Sequence, residues 1–236
     1  MAAPPRGLPT SSPGKILNGY TPDQGERLTQ SSRHPSRIEL CYALEFMAEL
    51  IQAKGISYAV MGGLALNLRG SRRETHDVGI VVACNMFTLR QACIGVERIK
   101  VPIGPTSGVM RVFLEVGQKW IQVDLILAGS LGAPYDLSTT TESVTLPTSA
   151  GAKLCTAINI RCQFQSKLGS LLARNSTADY LDLEFMCNQF SPQIAIFRDQ
   201  LSLPQRENFV IHCAANIEEP DKAARIEKMK RLLGVS

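Results

Sequence analysis

The sequence predicts an α+β fold, in which a mixed sheet with flanking helices is followed by a helical C-terminal half. Within residues 58–82, a short apolar run ends in two glycines and is followed by a helix-like segment and an alternating strand. Residues 109–127 contain two β-rich runs separated by Gly-Gln-Lys, which predicts a hairpin. After Pro147 the apolar residues recur mainly at helical spacing.

These changes in pattern divide the chain into three predicted regions. Residues 1–36 are rich in Pro, Gly, Ser and Thr and have no hydrophobic period, which predicts a disordered tail. Residues 37–147 form the predicted α/β core, and residues 148–236 form the predicted helical C-terminal region.

The first predicted helix covers residues 37–54, because its apolar side chains recur at helical spacing and Gly55 follows it. The segments that follow are a buried strand, a short helix and a second strand, at residues 58–61, 63–68 and 76–82. Successive side chains of a strand point to opposite faces. Asp77 and Gly79 therefore share one face of the second strand.

The remaining predicted elements complete the two halves of the chain. A helix over residues 86–93 precedes the hairpin, and a short strand near Val144 follows it. In the C-terminal half, helical periodicity occurs over residues 149–172, 177–189 and 221–233.

The composition is that of a globular protein with a mild positive charge. Of 236 residues, 44% are hydrophobic and 19% are charged, and no apolar run approaches the roughly 18 residues that span a bilayer. The N-terminus lacks the apolar stretch of a secretory signal, so we expect a cytoplasmic protein without a membrane partner. A net charge of +4 suits a phosphate-bearing ligand, whereas 6% aromatic residues do not indicate a dedicated nucleic-acid binder.

Gly62 and Gly63 lie between a predicted strand and a predicted helix. Glycine lets the backbone approach an anion closely, and a helix start offers unpaired N–H groups. These two residues are therefore candidates for phosphate binding. The alternative is a tight turn that requires a positive φ.

Asp77 and Asp124 are each the acid of an apolar predicted strand, which is a poor environment for an unpaired charge. If the two strands are adjacent, the two carboxylates predict a magnesium site, because Mg²⁺ binds a few carboxylates together with phosphate and water. The alternative is that either acid pairs with an arginine. The candidates for that pairing are Arg69, Arg72, Arg73 and Arg111.

This arrangement resembles the signature of the nucleotidyltransferase superfamily, whose fold is that of DNA polymerase β. That signature is a hydrophobic residue, two small residues, a spacer of about nine to thirteen residues and Asp-hydrophobic-Asp-hydrophobic, with a third acid on a later strand. This chain has Met61-Gly62-Gly63, thirteen residues and then Asp77-Val78-Gly79-Ile80. Asp124 is in the position of the third acid, and Gly79 is in the position of the second.

Two later segments are similar to the small antibiotic- and toxin-type branch of this superfamily, so that the resemblance covers about residues 38–190. The first segment contains Lys153, and the resemblance implies that this lysine lies on a helix and contacts a triphosphate. The second contains Asp179 and Asp182, for which we expect an exposed first helical turn. Arg72 and Arg73 precede Asp77 and either clamp phosphate oxygens or form a solvated turn.

The resemblance implies binding of a nucleoside triphosphate with Mg²⁺ or Mn²⁺ and transfer of a nucleoside monophosphate to a hydroxyl acceptor. A small molecule or a protein is favoured over a long nucleic acid as the acceptor. The implied metal-binding and catalytic residues are Asp77 and Asp124, and the implied nucleotide-binding residues are Gly62, Gly63, Arg72, Arg73 and Lys153. Because Gly79 lacks the second carboxylate, the alternative is a catalytically impaired pseudo-nucleotidyltransferase that binds a nucleotide or a partner.

Overall fold

The computed structural model describes residues 18–216 and 222–236. Within these residues a mixed sheet is flanked by helices, which confirms the predicted α+β fold. The strands are β1 Gly19–Tyr20, β2 Tyr58–Met61, β3 Asp77–Val82, β4 Ile99–Pro102, β5 Val109–Val116, β6 Lys119–Leu127, β7 Thr141–Thr148 and β8 Gly151–Ile158. The helices are α1 Pro22–Ser31, α2 Arg37–Ala53, α3 Gly62–Leu68, α4 Met86–Cys93, α5 Ile160–Arg174, α6 Thr177–Gln189, α7 Ser191–Phe197, α8 Leu203–Asn216 and α9 Lys222–Leu233.

The strands of the described residues form one sheet in the order β1-β4-β5-β6-β3-β2-β8-β7. The predicted hairpin is β5–β6, and its second strand pairs in parallel with β3. Strand β2 pairs antiparallel with β3 and parallel with β8. The two strands that carry Asp77 and Asp124 are therefore adjacent at the centre of the sheet.

Helix α2 covers one face of the sheet, and the apolar core lies between them. Its side chains Leu44, Met47 and Ile51 are fully buried against strand residues such as Val78 and Ile80. Truncating one such side chain to alanine typically costs about 2–5 kcal/mol of stability. Asp77 and Gly79 alternate with Val78 and Ile80 along β3, so they face the other side of the sheet.

Part of the predicted disordered tail is ordered. Residues 1–17 lie outside the described residues, but residues 18–36 contain β1 and α1. Thr21 caps α1 and its capping box is complete, with Pro22 in the first turn. Composition failed here because α1 is largely polar, with Leu28 as its one large apolar residue, and none of its residues is buried. Its start is specified by the cap instead.

The start of the C-terminal half also differs from the prediction. Residues 149–172 are predicted as helical, but residues 151–158 form β8, and α5 begins only at Ile160. Strand β8 pairs along its whole length with β7 and adjoins β2. Residue 147, the predicted end of the core, therefore lies inside β7, and the sheet continues beyond it.

The described part of the chain contains no helix that is both long and apolar enough to cross a bilayer.

Candidate functional site

A cavity of about 1050 Å³ lies between the sheet face that carries Asp77 and the helices α5 and α6. The segment between α1 and α2 contributes Arg33 and His34 to its wall. Of the predicted site residues, those that line the cavity are Gly62, Gly63, Arg73, Asp77 and Asp124. The structure thus brings most of the predicted site together at one place.

Asp77 and Asp124 face this cavity from the adjacent parallel strands β3 and β6. The strand register places Gly79 opposite Asp124 and Asp77 opposite Gln122. Burial raises the pKa of the Asp77 carboxyl, and the negative charge of Asp124 raises it further. The two acids are therefore close enough to repel each other.

Asp124 is neutralised by an arginine. Arg111 lies opposite it in the β5–β6 hairpin and donates from Nε to Oδ1 at 2.8 Å and from Nη2 to Oδ2 at 3.1 Å. These hydrogen bonds raise the pKa of the Arg111 guanidinium. Asp77 instead accepts a long hydrogen bond of 3.4 Å from the Thr75 hydroxyl. The predicted arginine pairing thus occurs at Asp124, through Arg111.

The local packing also disfavours an acidic side chain at residue 79, where the second acid of the signature is missing. A Cβ atom at Gly79 would lie 3.0 Å from the carbonyl oxygen of Met61, its partner across β2 and β3. A side chain at residue 79 therefore requires the neighbouring strand to shift by a few tenths of an ångström. Within residues 18–216 and 222–236, no group of three or more His, Cys, Asp or Glu side chains could hold a metal. With one acid absent and Asp124 bound to Arg111, these donors do not fit the two-metal site that the resemblance implies.

The Gly62-Gly63 pair forms the tight turn between β2 and α3, the alternative considered for these glycines. Gly62 has a φ of +80°, a conformation that side chains disfavour. Its N–H donates to Oε1 of the fully buried Gln163 at 3.1 Å, so this amide is not open to a phosphate. At Gly63, an added Cβ would collide with the Thr75 hydroxyl and lie 2.9 Å from Nη2 of Arg73, so glycine permits both side chains to approach.

The opposite wall of the cavity carries a buried ionic network. Arg73 binds Asp182 through two hydrogen bonds of 2.7 and 2.9 Å. Lys167 of α5 lies 2.6 Å from Asp182 and 2.9 Å from Asp179, and Arg174 lies 2.8 Å from Asp179. Both acids are 1% exposed, so the predicted exposed helical turn is wrong. Three cations and two anions leave this wall with an excess positive charge.

Two of the predicted nucleotide-binding residues lie away from the cavity. Lys153 is on β8 rather than on a helix, and its Nζ lies 2.6 Å from Glu49 and 3.5 Å from Glu45 of α2. Helix α2 covers the opposite face of the sheet from the cavity. Arg72 is exposed and is not part of the cavity wall.

Helix α5 contributes a polar face to the cavity that was not among the predicted site residues. The cavity-lining residues of this helix recur at helical spacing and include Gln163, Ser166, Lys167, Ser170 and Arg174. That recurrence was the available signal. It was hidden because residues 149–172 were treated as one helix, with Lys153 as its lysine.

Two histidines also line the cavity, namely His34, which lies within the predicted tail, and His76, which directly precedes Asp77. Their rings are 5.9 Å apart in an edge-to-face arrangement. The segment that precedes α2 thus reaches the loop before β3 and closes one side of the cavity.

Comparison with known proteins shows a likeness of structure rather than of sequence. No family model matches the chain, and no curated protein matches it. Among solved structures, an antigenic nucleotidyltransferase-like protein from Paracoccidioides brasiliensis is 16% identical with a TM-score of 0.51, covering 80% of this chain and 93% of that one. The fold is nucleotidyltransferase-like.

Two further solved structures match less closely. The antibiotic-resistance factor ANT(2'')-Ia is 9% identical with a TM-score of 0.45, over 63% of this chain and 82% of its own. The lincosamide antibiotic adenylyltransferase LnuA, bound to lincomycin, is 14% identical with a TM-score of 0.38, over 60% of this chain and 92% of its own. At these identities the likeness extends to the fold alone.

Proposed function

We propose that this protein is a nucleotide-binding module with a nucleotidyltransferase-like fold and impaired transfer chemistry. The observation that carries this proposal is the division of the cavity into two walls. The wall formed by α5, α6 and Arg73 has three cations and two anions, whereas the sheet wall lacks the second acid at Gly79 and has Asp124 bound to Arg111. The cavity therefore retains groups that attract phosphates and lacks the acids for two metals.

The positions of the polar side chains suggest how a nucleotide is oriented. Arg73, Lys167 and Arg174 line the cavity and supply the donors for phosphate oxygens. The aromatic rings of the described cavity wall are those of His34 and His76, which offer a surface for a nucleobase. We therefore place the phosphates toward α5 and α6 and the base toward the two histidines.

A second candidate is nucleotidyl transfer to a hydroxyl of a small molecule or protein. It is favoured by Asp77, whose one side-chain hydrogen bond within the described residues comes from Thr75. This carboxylate lies in the cavity beside Asp124 and forms no salt bridge with an arginine within the described residues, although the charges of Lys167 and Arg111 lower its pKa in part. A single Mg²⁺ or Mn²⁺ at Asp77 would orient the phosphates in that case.

The two candidates are separated by measuring binding and transfer in the same samples. Thermal unfolding is followed with ATP, GTP, CTP and UTP in the presence and absence of Mg²⁺ or Mn²⁺, and pyrophosphate release and label transfer from α-labelled nucleotides are measured. We expect at least one nucleotide to stabilise the fold, by about 2.7 kcal/mol at a hundredfold excess over Kd, without label transfer. Label transfer would establish the second candidate, and the absence of any stabilisation would reject both.

A pair of lysine variants locates the site. Lys167→Met removes a cation of the cavity wall, and we expect it to weaken nucleotide binding by about tenfold, or 1.4 kcal/mol. Lys153→Met removes the same charge on the other face of the sheet and should leave Kd unchanged. Circular dichroism checks that Lys167→Met folds, since Arg73 and Arg174 still pair with the two buried acids. Equal effects of the two substitutions would place the nucleotide elsewhere.

A further inference from the structure

We propose that the Arg111 guanidinium takes the place of a divalent cation at Asp124, so that the cavity binds its nucleotide as the free anion. This inference rests on the proposed nucleotide binding and specifies its ligand. It predicts that the ligand is the metal-free nucleotide rather than its magnesium complex. The argument depends on the contacts of Asp124, the charge of the cavity and the missing acid at Gly79.

The Arg111–Asp124 pair occupies both oxygens of the carboxylate. Its two N–H···O bonds of 2.8 and 3.1 Å form the bidentate fork in which charge-assisted hydrogen bonds are strongest. With its amide oxygen turned toward the guanidinium, Gln122 accepts from Nε at 3.1 Å and from Nη2 at 3.2 Å. The backbone of Arg111 is fixed as well, because the Tyr20 hydroxyl donates to its carbonyl at 2.8 Å. The guanidinium is thus held against Asp124 by the surrounding fold.

A metal ion at Asp124 has to share the carboxylate with this guanidinium, whose positive charge repels it, or displace the guanidinium from an oxygen. The pair is partly solvated, with 45% of the Arg111 side chain exposed, so its strength is below that of a buried pair. The displacement nevertheless brings Mg²⁺ little in return, because the second acid that would complete its coordination is absent at Gly79. Mg²⁺ otherwise keeps its water ligands, which it gives up reluctantly.

The charge of the cavity favours the free nucleotide for a separate reason. Four basic side chains line the cavity, against three acidic ones. The basic residues are Arg33, Arg73, Lys167 and Arg174, and the acidic residues are Asp77, Asp124 and Asp179. When the paired residues just behind the wall, Arg111 and Asp182, are included, the excess remains one positive charge, and it suits an anion. A nucleotide that has bound Mg²⁺ carries two fewer negative charges and is attracted less.

The test is isothermal titration of ATP into the full chain, once with EDTA and once with excess Mg²⁺. We expect binding in EDTA and an equal or weaker affinity with Mg²⁺. Asp124→Asn leaves the guanidinium without its counter-charge, so we expect tighter binding in EDTA. Arg111→Met frees the carboxylate, so binding should weaken in EDTA and improve with Mg²⁺ by about fivefold or more, the range of typical coupling between two ligands.

Two further variants serve as controls. Arg161→Met removes the same charge from an exposed position of α5 outside the cavity and should not change the effect of Mg²⁺. Arg111→Lys keeps the cation but loses the fork. It serves as the test if Arg111→Met does not fold, and its affinity for ATP should remain independent of Mg²⁺.

The outcomes distinguish this inference from the proposed function. ATP binding that requires Mg²⁺ in the unaltered protein overturns the inference and leaves nucleotide binding in place. Weaker binding of Asp124→Asn in EDTA, with the fold retained, also overturns it, because removal of the counter-charge of Arg111 should strengthen the attraction for the free anion. No binding of any nucleotide in either buffer overturns the proposed function and the inference with it.

Discussion

Asp77 and Asp124 lie on neighbouring parallel strands, yet the two carboxylates are held in different ways. Asp124 is paired with Arg111, whereas Asp77 has only the long hydrogen bond from Thr75 among the described residues. Burial and the charge of Asp124 both raise the pKa of Asp77. A charge that is costly for the fold and faces a cavity is typical of a functional residue.

The raised pKa of Asp77 predicts a stabilising substitution. The folded state holds the Asp77 proton more tightly than the unfolded state does, so ionisation of Asp77 costs stability as the pH rises through its folded pKa. We therefore expect Asp77→Asn to increase the free energy of unfolding at neutral pH. The difference from the unaltered protein should disappear as the pH falls below the ordinary carboxyl value of 3.8. Urea unfolding at a series of pH values measures it.

Asp136 provides a control of opposite sign. Hydrogen bonds from Ser138 and Thr139 lower the pKa of its carboxyl, so its ionised form is favoured by folding. Asp136→Asn should therefore lower stability at neutral pH, and this loss should fade on acidification. An Asp77→Asn protein that is less stable at neutral pH would show that Asp77 has a favourable partner in the fold.

At the scale of elements, the predictions that succeeded depend on local pattern. The β2–α3–β3 unit and the β5–β6 hairpin were predictable because alternation, glycines and a turn mark their boundaries within a few residues. The same patterns placed Asp77 and Asp124 on strands but left open whether those strands are adjacent, which the β3–β6 pairing establishes. Their opposite electrostatic states did not follow from the patterns, because these depend on Arg111 and on the packing of the loop before β3.

The predictions that failed concern residues whose structure depends on contacts with distant parts of the chain. Residues 151–158 become a strand because β7 and β2 lie on either side, and strand preference depends strongly on such surroundings. Because of this error, Lys153 was predicted on a helix at the nucleotide site, whereas it lies on β8 and faces α2. Asp179 looked like an exposed acid of a first turn because its partners, Lys167 and Arg174, lie on another helix. The sequence contains these residues but does not show that they meet.

The ionic network between α5, α6 and the loop before β3 predicts a large effect of one substitution. Asp182 is 1% exposed and binds both Arg73 and Lys167. Replacing it by alanine leaves Arg73 without its counter-charge and Lys167 with Asp179 alone, so we expect a loss of about 3–5 kcal/mol. Chemical denaturation measures the change.

Asp199 is the matched control for this substitution. It has two arginine neighbours, at 3.7 Å from Arg198 and 4.0 Å from Arg206, but its side chain is 82% exposed. Exposed ion pairs contribute little, so Asp199→Ala should leave stability nearly unchanged. Similar losses for the two variants would mean that the buried network does not hold α6 in place.

At the scale of the whole molecule, the sheet and the C-terminal helices are joined by direct contacts and are not separate units. Strand β8 completes the sheet, and α5 follows it after one residue and forms a wall of the cavity. Gln163 of α5 accepts a hydrogen bond from Gly62 at the end of β2. Leu66 of α3 packs in the hydrophobic cluster of the C-terminal helices. The predicted division at residue 147 therefore cuts through contacts on which the cavity depends.

These contacts predict that a chain ending at residue 147 does not fold alone. It retains α2 and the central strands but loses β8, so that β2 becomes an open edge and the core loses Cys155 and Ala157. Arg73 loses Asp182 and Gly62 loses Gln163. We expect urea unfolding of this shortened chain to show no cooperative transition, with exposed apolar surface that binds ANS. Adding residues 148–236 as a separate chain should restore a transition, because it returns β8 and both helices of the cavity wall. A sharp transition of the shortened chain alone would instead establish residues 37–147 as an independent domain.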